Sequence, residues 1–312
     1  MEETGGSQPQ ANSAPATLDV ALRGSLPCLS CGYELQGLSV RGACPECGVA
    51  IRATILSRVD PEAEAFHPLP TPRLTAFGVF LWPLGALGAA LFGWAPRVDD
   101  FIARATNAHS IAGASWVGWA SLCGLALSAL GAGGLLRPTR DTTGRWVFAS
   151  LIGLLFYGPL AWCWWRIALL IDRANLAPYL QASPNPDRLA SRLCLGASAL
   201  VILLILRHNA RQLVSRSLVL RTGRVGRQTV LATAAAVALT MVGDAIRLIA
   251  TTLPDANRPL VAGAGALLVL VGSLLVTLAL VGATVDGWRI RRAILTPSPK
   301  LSELIEFRRA TP

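Results

Sequence analysis

Six long apolar runs between residues 74 and 285 predict an all-α integral membrane protein, a six-helix transmembrane bundle. Two further observations support that fold class. Only 15% of the 312 residues are charged while 53% are hydrophobic, whereas a soluble domain carries about 25% charged residues. The net charge is +10 and Lys300 is the only lysine, so the cations are arginines whose distribution can be read as a topology signal. A compact four-cysteine module before the bundle adds a small second domain.

Taken in order, residues 1–25 read as a disordered tail rich in Gly, Ser, Pro and Gln. They show neither a positive n-region nor an apolar h-region, so no cleavable signal peptide is expected. Residues 26–50 hold Cys28, Cys31, Cys44 and Cys47 as two Cys-x2-Cys pairs separated by twelve residues. Two residues between thiols let both sulfurs reach one ion from a tight turn, and four thiolates form the structural zinc arrangement. One Zn2+ is the expected ligand, with iron as the alternative for the same paired knuckles. Two disulfides would require an oxidising compartment, which the topology below argues against. Tyr33, Leu35, Leu38 and Val40 are the main apolar residues of so small a module, so metal binding, worth roughly 10–16 kcal/mol, must supply its folding energy.

The run Cys28-x2-Cys31-Gly32-Tyr33-x-Leu35-x-Gly37-Leu38, followed by Cys44-Pro45-Glu46-Cys47-Gly48, resembles the short N-terminal zinc-ribbon segment of uncharacterised bacterial multi-pass membrane proteins. The resemblance covers about residues 26–50. It implies a bacterial source and a metal-stapled cytoplasmic head, and it assigns no activity. Between Cys28 and Cys47 stand one cation, Arg41, and two anions, Glu34 and Glu46. That balance disfavours nucleic acid, which needs a basic face, and leaves a structural or protein-docking role.

Residues 51–73 read as a linker, with Pro61, Pro68, Pro70 and Pro72. The spans are expected at about 74–95, 110–136, 146–171, 189–206, 229–253 and 259–285, the fourth weakest because Arg192 interrupts it. With a cytoplasmic N-terminus, the inner segments 1–73, 137–145, 207–228 and 286–312 hold twenty cations, and the outer segments 96–109, 172–188 and 251–258 hold five. This is the positive-inside bias of a cytoplasmic (inner) membrane protein with both ends inside. Trp94, Trp116, Trp119, Trp162, Trp164 and Trp165 then fall toward the outer interface, Trp146 and Trp288 toward the inner one, and Trp82 deeper. The basic stretch 207–228 is expected to lie on anionic headgroups, and 286–312 to form a cytoplasmic tail.

Small residues recur every fourth position, as Gly85, Ala89 and Gly93 in the first span and Ala120, Gly124, Ser128 and Ala132 in the second. They predict a close packing seam, and the same stripes would serve a homo-oligomer interface. Cys123, Cys163 and Cys194 read as packing residues. Asp244 and Arg247, three residues apart in the fifth span, share a helical face and are expected to pair. An intramembrane carboxylate costs about 2.5–3.5 kcal/mol on insertion scales, so the pair either fixes packing or serves a small-solute transporter or channel. Arg166 and Arg192, near outer span ends, are expected to snorkel to the interface. No HExxH, GxSxG or phosphate-loop pattern occurs. Enzyme activity is therefore disfavoured, a membrane enzyme with a site of another kind being the remaining alternative.

Overall fold

The computed structural model describes residues 20–60, 69–106, 115–136, 144–172, 185–217, 229–297 and 299–304. Residues 1–19 of the expected tail and 218–228 of the basic stretch lie outside the described residues; residues 20–25, expected in the disordered tail, are instead packed into the small unit, where Leu22 is buried and Ala21 bridges Ser39. The chain forms two compact units: a small one from residues 1–66 and 298–312, and a large one from residues 67–297.

The large unit is the predicted all-α bundle, with six helices among the described residues long and apolar enough to cross a membrane. In chain order they are α2 (Pro72–Thr106), α3 (Ser115–Gly134), a broken third span, α6 (Pro186–Val214), α7 (Thr229–Ala250) and α8 (Arg258–Leu295). The third span comprises α4 (Gly144–Leu155), α5 (Tyr157–Trp165) and a π-helical segment, Arg166–Ile171. Pro159 explains the break at Phe156. It has no N–H to give the Leu155 carbonyl, and its ring crowds that carbonyl.

Several spans outrun their expected limits. α6 begins at Pro186, where the Asn185 side chain accepts from the N–H groups of Asp187 at 2.9 Å and Arg188 at 3.3 Å. Proline at the first helical position and an Asn cap make a strong start signal. The same helix runs to Val214, so the first third of the expected basic loop is helical. The 38 residues of α8 measure about 57 Å at 1.5 Å per residue. Its last turns therefore continue past the hydrocarbon, carrying Arg289, Arg291 and Arg292. Arg291 lies 4.7 Å from the Phe77 ring centre and 4.8 Å from that of Trp288.

The bundle turns its polar side chains inward, beside apolar clusters such as Leu160, Ile202 and Leu206, and leaves apolar ones on its outside, as lipid as solvent favours. Ser121, Ser128, Ser150, Ser198, Asn209 and Asp244 are buried, while Leu130, Leu155, Leu260 and Leu278 are each at least two-thirds exposed. The small-residue seam packs within the chain. A Cβ on Gly124 would lie 2.7 Å from the Ala89 nitrogen, and one on Gly78 2.8 Å from the Gly134 Cα. α2 packs against α3 and α8, α8 against α7, α7 against α6, and α6 against α5, which returns to α3. The closed ring encircles a cavity of about 360 Å³ to which every span contributes, among them Trp82, Ser128, Tyr157, Arg192, Asp244 and Thr277. Trp82 Nε1–H donates to the Tyr157 hydroxyl at 2.9 Å. Ser128 Oγ–H donates to the Trp82 carbonyl at 2.9 Å, and the Ser128 and Tyr157 hydroxyls are 2.9 Å apart. That triangle ties α2, α3 and α5 together with its side-chain donors all used.

The small unit contains α1 (Ile51–Arg58) and α9 (Leu301–Leu304). Its core is Leu22, Leu26, Leu35, Ile51, Ile55, Val59 and Leu304, with Leu38, Val40 and Leu301 packed around it. The core is larger than the sequence suggests, and Tyr33, expected within it, is 41% exposed. The expected linker begins as a helix because Ile51, Ile55 and Val59 recur at four-residue spacing and face this core.

Candidate metal centre and a buried ion pair

Two similar turns bring the four cysteines together. In the first, Cys28 N–H donates to the Tyr33 carbonyl at 2.8 Å and Gly32 N–H to the Cys28 carbonyl at 3.1 Å. In the second, Cys44 N–H donates to the Val49 carbonyl at 2.8 Å and Gly48 N–H to the Cys44 carbonyl at 2.9 Å. Gly32 and Gly48 have φ of 78° and 71°, the left-handed backbone that glycine adopts without strain. Isolated bridges, Pro27 with Glu34 and Ala43 with Ala50, close each turn. The halves repeat at an offset of sixteen residues, and Leu35 and Ile51, which correspond, are both wholly buried. This repeat was visible in the sequence, and would have placed Ile51 in the module instead of the linker.

The Sγ atoms of Cys28 and Cys47 are 3.5 Å apart, as are those of Cys31 and Cys44, and all four lie within 4.8 Å of one another. Four sulfurs at 2.3 Å from a tetrahedral ion would be about 3.8 Å apart, so the cluster is positioned to hold one metal ion. Cys28 and Cys44 are buried against the core while Cys31 and Cys47 face outward. All four are free thiols. The Cys31 and Ser30 N–H groups, turned toward the Cys28 sulfur, lower its pKa to about 6. At Cys31 the Tyr33 N–H acts in the same sense. Desolvation and the neighbouring Cys47, Cys44 and Cys28 sulfurs outweigh it, pushing the thiol up to about 12. Such crowding of sulfurs is what a bound cation would relieve, since thiolate is the metal-binding form. Glu34 braces the first turn. Its carboxylate accepts from Ser25 Oγ–H and the Leu26 N–H, both at 2.7 Å, which holds its pKa below the ordinary value.

In the bundle, the ion pair differs from the expected one. Asp244 is engaged by Arg192, whose Nε–H lies 2.8 Å and 3.0 Å from the two carboxylate oxygens. Arg192 thus turns inward instead of snorkelling, and it makes the fourth span compatible with the bundle. The Asp244 and Arg192 side chains are 3% and 15% exposed. Arg247 is also buried, at 7% exposure, and its Nε has no hydrogen-bond partner. Helical spacing finds partners on one helix, whereas this pair joins residues 52 apart. A second pair lies nearby in sequence: Arg188 donates from Nε at 2.6 Å and Nη2 at 3.1 Å to the two oxygens of Asp172.

These features define the class: an all-α protein with six helices suited to a membrane and a four-cysteine cluster placed to bind metal. Comparison of the chain with protein-family models, with curated proteins and with solved structures returns no match.

Proposed function

We propose that this is a bacterial inner-membrane protein whose zinc ribbon is a cytoplasmic structural head, joining the two ends of the chain and offering a docking point for a protein partner. The observation that carries this reading is the composition of the ribbon core. Leu304, 1% exposed, packs with Leu22 and Leu26, and the Arg23 N–H donates to the Leu304 carbonyl at 3.0 Å. An aqueous unit built from both chain ends requires an even number of crossings between them, and six satisfies this. The cation excess of the segments flanking the spans supports a cytoplasmic placement, where four reduced thiols favour zinc over disulfides. Leu29 and Tyr33, exposed on the first cysteine turn, support docking. Reporter fusions at each terminus test the topology, and both are expected to report the cytoplasm; reporters on opposite faces would refute it. Replacing Cys28 and Cys31 with Ser is expected to abolish both bound zinc and any partner recovered with the intact chain. Partners that survive the change would refute docking.

A second reading, passage or binding of a small solute, is favoured by the cavity that all six spans line and by the Arg192–Asp244 pair on its wall. Asp244→Asn is expected to abolish such transport in reconstituted vesicles. Unchanged transport would remove Asp244 from the path.

A further inference from the structure

Two of the three cysteines outside the ribbon meet across a helix pair. The third span and α6 pack against one another in opposite directions, and three contacts fix their register. Asn209 Nδ2–H donates to Ser150 Oγ at 2.8 Å. A Cβ on Gly153 would lie 3.1 Å from Ile205 Cγ2. Arg188 reaches Asp172 at 2.6 Å. Each step along one span is matched by about the same step back along the other. Cys163 and Cys194 stand opposite in that register, between the Gly153–Ile205 and Asp172–Arg188 contacts. Cys194 is also three turns before Ile205, on the same face of α6. Leu160 and Leu195, their close neighbours, share one buried cluster, and the two thiols are near enough to interact directly.

The pair is asymmetric. Both thiols are free, but Cys163 is 6% exposed whereas Cys194 is exposed. An incoming reagent therefore meets Cys194 first, and Cys163 stands behind it as the resolving thiol. Cys123 provides the contrast. It is exposed on α3, among the lipid-facing Trp119, Leu127 and Leu130, and no thiol partner faces it among the described residues. Packing, the role expected of each cysteine alone, does not account for two thiols placed against each other.

We propose that Cys163 and Cys194 are a redox-active pair that closes to a disulfide, stapling α5 to α6. The oxidant is the disulfide of a thiol–disulfide carrier. The Cys194 thiolate attacks one carrier sulfur, the carrier S–S bond breaks, and the first carrier thiolate leaves and takes the Cys194 proton. The Cys163 thiolate then attacks the Cys194 sulfur, and the second carrier thiolate leaves and takes the Cys163 proton. Two protein thiols become one disulfide, and one carrier disulfide becomes two thiols. The bond would pin α5 between the break at Phe156 and the π-helical segment at Arg166, where Leu160, Ile167, Leu195 and Gly196 line the cavity. The topology proposed above puts the pair in the outer half of the bundle, toward an oxidising compartment. The pairing itself rests on the contacts alone.

The test uses the reduced, zinc-loaded full chain in lipid nanodiscs, with dipyridyl disulfide as a small apolar oxidant. Remaining thiols are then alkylated, and the digested chain is read by mass spectrometry. A peptide joining Cys163 to Cys194 is expected, while Cys123 keeps a single pyridyl label. The label is expected to leave Cys194 at least about tenfold faster than Cys123, because a facing thiol acts at an effective concentration of mM or more. In Cys163→Ala the label should stay on Cys194. If that variant does not fold, the wild-type peptide decides. The proposal is overturned by a lasting label on Cys194 of the wild type, by separate labels on Cys163 and Cys194, by Cys194 joined to another cysteine, by no reaction at Cys194 where Cys123 reacts, or by loss of the label in folded Cys163→Ala.

Discussion

The smallest scale of the account is the single polar contact. Glu34 is exposed, yet its carboxylate accepts from Ser25 and Leu26 and so holds the first cysteine turn. Its pKa is lowered on folding, chiefly by the Ser25 hydroxyl. The stability it contributes is therefore complete above the ordinary carboxylate value and lost as pH falls through the lowered one. Glu34→Gln is expected to weaken hydrogen-exchange protection of residues 20–40 at pH 7, with the difference from wild type vanishing in acid. A difference that persists there would show that the effect is steric. In the bundle, the Arg192–Asp244 pair is a stronger case. Removing one partner leaves the other charge buried, which costs about 3–5 kcal/mol. Arg192→Leu and Asp244→Leu are each expected to lose stability of that order in denaturant unfolding, and the double variant less than the two losses combined. Additive losses would mean that the residues act independently.

At the scale of the element, some features were legible in sequence and others were not. The six apolar runs were, because hydrocarbon demands about twenty apolar residues per crossing. The small-residue stripes of α2 and α3 were too, since close approach needs glycine and alanine at one face. Gly124→Leu is expected to destabilise the bundle by at least about 1–3 kcal/mol, the cost of overpacking. Gly88→Leu, with open space around its Cα, should change stability by less than about 0.5 kcal/mol. Equal effects at both positions would contradict the seam. The Arg192–Asp244 pair was not legible, because hydropathy and helical period carry no information about which faces of two helices meet. The cysteine spacing pointed directly to the four thiols that cluster. The contribution of α9 could not be read, because a four-residue helix has no periodic signature of its own.

For the whole molecule, the central claim is that a metal centre closes both ends of a six-span chain into one unit. Leu304 is the test residue for the closure. Its replacement by Ala removes a fully buried side chain and is expected to cost the small unit about 2–5 kcal/mol, seen as lost protection across residues 20–60. The bundle has its own ring of contacts and its own buried clusters, so its stability should not depend on an ion in the small unit. Hydrogen exchange of the full chain in nanodiscs, with and without a zinc chelator, tests the claim most directly. Residues 20–60 and 299–304 are predicted to lose protection together on chelation while the six spans keep theirs. Protection in 299–304 that ignores the chelator, or spans that open along with the ribbon, would contradict it.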